Sequence, residues 1–223
     1  AWVSNIMFEP SVGEAILEQK VAAEKNLILE KEYRFEKAEQ SEEGWKVTFS
    51  TPRGKKCVKA RVLVDGTELG DVAKSCRIKY HIGFDPKSYT GEKMAFEKGN
   101  DIVQDLTMVM TLKDYGPDAD KTIEKPEDYD INNYVNCCLN PLNTYFEKGQ
   151  KQWSPDMMLT YGKLQNGKYM INWPVEGNDF YANLIDMDRH QRDSVIHKAK
   201  LRTLGFLYFI QTELGYKNLG LAD

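Results

Sequence analysis

Arg61-Val-Leu-Val-Asp-Gly-Thr-Glu-Leu-Gly-Asp-Val-Ala73 is an apolar run that breaks at Asp65-Gly66-Thr67 and resumes as a helix-like segment. It reads as a strand, a tight glycine turn and a helix start. In a sheet with parallel strands, ligands collect where strands end and helices begin, because free N–H groups and the positive end of the helix dipole point there. The turn is therefore a candidate cofactor edge.

Upstream, Ser11-Val-Gly-Glu14 has the form of a capping box behind Pro10, and Val12, Ile16, Leu17 and Val21 recur at helical spacing. A helix is expected from about Ser11 to Lys25. The short apolar run Leu27-Ile-Leu29 then suits a central strand beside the one at Arg61. Tyr33-Phe35, the alternating Trp45, Val47 and Phe49, and Cys57-Val58 follow, with turn signals at Ser41-Glu-Glu-Gly44 and Pro52-Arg-Gly54 between them. That is the pattern of an antiparallel meander.

Downstream of Ile78 the chain has longer loops and scattered strands. Val103–Thr111 is apolar on both faces, as a buried strand would be. The segments Pro117-Asp-Ala-Asp120 and Glu124-Lys-Pro-Glu-Asp-Tyr-Asp130 read as surface loops or short helices, and Lys168–Trp173 as another strand. The closing helix, Arg189 to Leu214, carries the stripe Ile196, Ala199, Thr203, Phe206, Leu207, Ile210 and Leu214 and stops at Gly215. These elements add up to a mixed α and β fold, α/β or α+β.

The 223 residues suit one large domain or two small ones, and 30 basic against 34 acidic residues leave a net charge of −4. No basic cluster stands ready to neutralise phosphates, so nucleic acid is not an expected partner. No apolar run has the length of a membrane span, and Ala1 to Ala15 lacks the regions of a signal peptide. The expectation is a soluble chain of open localisation. The four cysteines Cys57, Cys76, Cys137 and Cys138 do not make a disulfide framework in a chain this long. The adjacent pair Cys137-Cys138 admits three readings, a redox dithiol, a metal site or plain structural thiols. Packing thiols are favoured, because metal sites use spaced cysteines with further ligands nearby. No metal is expected.

The turn at Asp65 resembles the later FAD-contacting motif of FAD-dependent oxidoreductases of the glutathione-reductase type, Asp-Ala-Thr-Gly followed by Gly-Asp. Here it stands as Asp65-Gly66-Thr67, then Gly70-Asp71, with Gly66 for the usual alanine and Glu68 where many relatives have glycine. Phe8-Glu9-Pro10-Ser11, the meander, Gln104-Asp105-Leu106-Thr107 and Gly177-Asn178-Asp179 occur in the order of one branch of that superfamily, some chains of which carry a xanthan lyase label.

The resemblance implies FAD as cofactor, with Asp65, Gly66, Thr67, Gly70 and Asp71 close to it and the backbone near Phe35 passing the adenine. It implies residues 1–78 as a partial FAD-binding domain with the meander, 79–187 as a substrate or cap domain of mixed sheet and helices, and 188–223 as a helix returning to cover the sheet of Leu27–Leu29 and Val62–Val64. No Gly-x-Gly-x-x-Gly spacing, whose backbone would cradle the pyrophosphate, occurs in the sequence. The chain is thus expected to be an internal fragment whose partner is the remainder of its parent chain. On its own it should be inactive and hold little or no FAD.

For the substrate, a small molecule or a carbohydrate, three residues are candidates: His81 as a proton donor or hydrogen-bond partner facing the flavin edge, and Asn178 and Asp179 in a polar loop beside Phe180 and Tyr181. His190 and His197, seven residues apart on one helix face, do not have the spacing of a metal pair. Tyr115, Tyr145, Trp153 and Tyr161 suit a carbohydrate groove or a core equally. The rival functions are a polysaccharide lyase of the xanthan type, which would need a base with a neutralising partner in a cleft, and a carbohydrate-binding module.

Overall fold

The computed structural model describes residues 7–145 and 152–222. In chain order its elements are α1 (Pro10–Ala23), β1 (Arg34–Ser41), β2 (Gly44–Thr51), β3 (Gly54–Ala60), α2 (Asp71–Ser75), α3 (Lys87–Thr90), β4 (Leu106–Thr107), β5 (Met110–Asp114), a 3-10 turn (Ile131–Asn133), α4 (Pro155–Thr160), β6 (Lys168–Ile171), β7 (Asp179–Phe180), α5 (Arg189–Thr212) and β8 (Leu219–Leu221). The fold is mixed α and β, and every strand pairing in its three small sheets is antiparallel. Two compact units emerge: Glu18–Val103 with Asn183–Met187, and Ala1–Leu17 with Gln104–Ala182 and Asp188–Asp223.

In the first unit the expected meander forms. β1, β2 and β3 pair in sequence order, with Ser41 opposite Gly44 and Thr51 opposite Gly54 closing two-residue turns. Gly44 is required there: its φ is +128°, and a Cβ would stand 2.4 Å from the carbonyl oxygen of Ala60. One face is anchored by Val47, which is buried, and by Phe49, whose ring lies 5.8 Å from that of Tyr33 and 6.4 Å from that of Phe35.

Two strands expected in this unit are absent. Leu27–Leu29 and Val62–Val64 belong to no sheet, and Ile28, Val62 and Val64 are 85%, 74% and 83% exposed. A strand is held by a neighbour that takes its N–H and C=O groups, and no described strand lies beside either run. The parallel sheet that the final helix was expected to cover is therefore not formed in this structure.

α5 belongs to the second unit, where it is the central core element. Asp188 caps it, accepting from Gln191 N at 2.9 Å while Gln191 Oε1 accepts from Asp188 N at 2.8 Å. At its far end Gly215, at φ +80°, lets Tyr216 N turn back to Ile210 O at 3.1 Å. Phe206, Leu207, Phe209 and Ile210 are fully buried against Met110 and Leu112 of β5, Ile171 of β6, Tyr134 and Trp173. Ala199 and Thr203 of the expected stripe are buried as well, whereas Ile196 is 42% exposed. Truncating a buried phenylalanine such as Phe206 to alanine would cost about 3–5 kcal/mol.

The run Val103–Thr111 is two strands, not one. Leu106–Thr107 pairs with β7 and Met110–Asp114 is the central strand of the β6-β5-β8 sheet. Between them the carbonyl of Met108 is taken by side chains, Thr203 Oγ1 at 2.8 Å and Asn178 Nδ2 at 3.1 Å, so the ladder is interrupted there. α1 has the expected extent within two residues at each end but buries none of its side chains. Trp153 and Tyr161 pack edge-on against Trp173, at 6.3 and 5.7 Å between ring centres, and so act as core rather than groove.

Candidate functional site

The candidate turn is built by one carboxylate. Asp65 Oδ1 accepts Thr67 N at 2.9 Å and the Thr67 hydroxyl at 2.7 Å, while Oδ2 accepts Ala73 N at 2.7 Å. The Thr67 hydroxyl in turn accepts Asp71 N at 2.8 Å. Two of the N–H groups that open α2 are thus satisfied by side chains eight and four residues upstream, which is why a helix starts here although α2 is only five residues long. The Thr67 hydroxyl, followed by the Ala73 and Thr67 backbone N–H groups, holds the Asp65 carboxyl below the usual aspartate range.

The two glycines have a different place. No atom stands within 4 Å of where a Cβ would be at Gly66 or at Gly70, and Gly70 adopts φ +67°. The backbone face of the turn is open at both positions. Asp65 and Thr67 shape the turn, and Gly66 and Gly70 leave room for a group to approach it. Asp71, half-buried, is the first residue of α2.

Beyond the turn lies a cluster that no sequence spacing announces. Lys74 Nζ donates to Asp186 Oδ1 at 2.8 Å and to the carbonyl of Ile185 at 3.0 Å, and the Tyr80 hydroxyl donates to the same Asp186 oxygen. Lys74, then Tyr80, pull the Asp186 carboxyl below its ordinary range, and the Asp186 carboxylate pushes the Tyr80 hydroxyl above its own. More than a hundred residues separate the partners, so only folding brings them together.

His81 Nδ1 lies 2.7 Å from Asp85 Oδ1, and its ring packs on Tyr89 with 5.1 Å between centres. A carboxylate beside Nδ1 favours the tautomer with the proton there and leaves Nε2 as the acceptor nitrogen.

Asn178 and Asp179 are adjacent but unlike. Asn178 is completely buried, and both ends of its amide are used by the backbone, as donor to Met108 O and Ile171 O and as acceptor from Trp173 N. It ties its own loop to two chain segments and offers no surface to a ligand. Asp179 accepts the hydroxyl of Thr107 across the β4–β7 pair and lines a cleft of about 610 Å³ together with Asp105, Phe180, Tyr181, Lys198 and Arg202. Arg202 is fixed there by Gly177 O at 2.8 Å, Asn133 O at 2.9 Å and the ring of Tyr134, 4.6 Å beneath its guanidinium.

Among the described residues no group of three or more His, Cys, Asp or Glu side chains is arranged to hold a metal. No helix among them is long and apolar enough to cross a membrane. A protein-family model described as FAD dependent oxidoreductase matches residues 1–223. Neither a curated protein nor a solved structure matches the chain.

Proposed function

The chain belongs to the FAD dependent oxidoreductase family, and from that premise we propose that the turn from Asp65 to Asp71 holds part of the flavin cofactor. The observation that carries this reading is the turn's double construction. Its polar side chains are spent on holding it rigid, and its glycines leave the backbone bare. A flat, polar cofactor needs such a surface, preset in shape and free of side chains. Gly66 and Gly70 would lie against the cofactor, Asp71 would contact it through its carboxylate or backbone, and Asp65 with Thr67 would keep the turn in place. FAD, when bound, supplies a two-electron acceptor for a hydride taken from a small organic substrate.

The fit extends to one end of the cofactor. With no Gly-x-Gly-x-x-Gly spacing in the sequence, we infer that the pyrophosphate is held by residues outside it. The unpaired apolar runs Leu27–Leu29 and Val62–Val64 support the same reading, since each is a strand-like segment lacking a neighbour. His81 is the proposed proton carrier of this unit, its ring oriented by Asp85. In the other unit the Asp179 cleft, with aromatic, acidic and basic walls, is the proposed binding place for a small-molecule or carbohydrate ligand.

The test is the visible absorption spectrum of the natural polypeptide purified under native conditions, beside a titration of the 223-residue chain with FAD. A bound-flavin spectrum in the first and weak uptake in the second are expected. A colourless natural protein that takes up no added FAD would overturn the flavin reading. Tight stoichiometric uptake by the 223 residues alone would overturn only the inference that the pyrophosphate site lies elsewhere.

A further inference from the structure

Neighbouring residues rarely bring their side chains together. In a strand they leave on opposite faces, and in a helix they are about 100° apart. At Cys137-Cys138 a bend in the chain brings both side chains to the same place: the Cys137 thiol donates to Cys138 Sγ at 3.6 Å, and both residues are 0% exposed. The bend is clamped. Cys137 N donates to Tyr134 O at 3.0 Å, the Trp173 indole N–H to Cys137 O at 2.7 Å, and the Asn140 and Asn143 side-chain amides to Cys138 O at 2.8 Å each. Leu139 N donates to Trp153 O at 2.7 Å. The mutual S–H···S bond pulls the Cys138 thiol down and pushes that of Cys137 up, so Cys138 loses its proton first.

From the contact between the two sulfurs and the clamped bend that makes it, we propose that Cys137 and Cys138 form an oxidation site, a dithiol that a hydroperoxide converts to a disulfide between adjacent residues. The Cys138 sulfur attacks one peroxide oxygen, the O–O bond breaks, and water leaves with the thiol proton, giving a sulfenic acid. The Cys137 sulfur then attacks that sulfur and the S–O bond breaks. The departing hydroxide takes the Cys137 proton as a second water. Two thiols are oxidised by two electrons and one hydrogen peroxide is reduced to two waters. The oxidant must be small, since it reaches a closed site only through local opening of the chain. The sulfurs must approach from 3.6 Å to about 2.0 Å. The two sulfurs sit on neighbouring residues, so no other chain segment has to be brought to them.

The test uses the full chain with Cys57→Ser and Cys76→Ser, which removes the two cysteines lying outside the core. Folded protein is treated with hydrogen peroxide, blocked with an alkylating agent in denaturant, and weighed intact. The expected result is a mass lower by two hydrogens, no alkylated thiol, and full recovery of both thiols with dithiothreitol. Adding Cys137→Ser should replace the loss of two hydrogens by the gain of oxygen at Cys138. Both thiols surviving in the folded chain, oxygen gained without loss of hydrogen while both cysteines are present, or a disulfide between two chains would each overturn the proposal. The first measurement stands on its own if the Cys137→Ser protein does not fold.

Discussion

Asn178 accepts the backbone N–H of Trp173 through Oδ1 at 2.9 Å, and this bond closes the loop Pro174–Gly177 onto the core. With Nδ2 serving Met108 O and Ile171 O, one amide satisfies three backbone groups from two segments, Met108 and Ile171–Trp173. Asn178→Ala should therefore behave as a stability variant, losing about 3 kcal/mol because the stranded groups cannot reach water. Urea unfolding would show this as a lower midpoint at unchanged slope. An unchanged midpoint would mean that the side chain is not the tie the geometry makes it.

Gln211 does the same work at the other end of α5. Fully buried, it donates to Lys121 O at 2.6 Å and Leu219 O at 2.7 Å and accepts from Ile123 N at 3.0 Å. Gln211→Leu keeps the volume but removes all three bonds. A loss of roughly 3 kcal/mol is expected, which for a chain of this size lowers Tm by about 6–12 °C. Thermal unfolding followed by circular dichroism measures it, and a Tm within a degree of the parent would refute the assignment.

The Asp65 carboxylate gives the turn a definite response to acid. Its folded pKa lies below its unfolded value, so its contribution is complete above the unfolded aspartate range and disappears as pH falls through the folded value. The amide resonances of Thr67 and Ala73 should titrate together, with a midpoint below the usual aspartate range. Asp65→Asn should abolish that titration. A midpoint in the ordinary range would show that the three hydrogen bonds do not hold the carboxylate in solution.

Gly66 separates cofactor binding from folding. A Cβ there meets nothing within 4 Å, and its φ lies outside the left-handed region, so Gly66→Val should leave Tm unchanged. If the cofactor lies against this backbone, the same change should weaken FAD retention by the natural polypeptide about tenfold or more, equivalent to about 1.4 kcal/mol. Flavin released on dilution, read by its fluorescence, distinguishes the outcomes. Retention equal to the parent would remove Gly66 from the proposed contact.

Much of the local structure was legible because its causes are local. The apolar stripe of α5 repeats every turn and ends at Gly215, and Gly44 and Gly54 punctuate the meander at the turns they make possible. The Asp65–Asp71 turn could be located the same way, since its hydrogen bonds span at most eight residues. Its division of labour could not, because composition does not say which side chains a turn consumes and which backbone it leaves bare.

Whatever depended on distant neighbours needed the fold. Leu27–Leu29 and Val62–Val64 have strand-like residues, but a strand exists only where another backbone accepts its hydrogen bonds. Val103–Thr111 reads as one strand, yet Thr203 and Asn178, some 95 and 70 residues away, take the Met108 carbonyl and divide it. Lys74, Tyr80 and Asp186 become a cluster only by chain reversal, and two adjacent cysteines become a paired dithiol only through a bend fixed from Trp173, Asn140 and Asn143. The first and last long helices, the meander and the glycine turn follow from residue order alone, because nearest-neighbour sterics and hydrophobic period act along the chain. Which polar groups are spent in the interior and which remain for chemistry is set by the fold, because a buried donor or acceptor takes whatever partner comes within reach, at any separation in sequence.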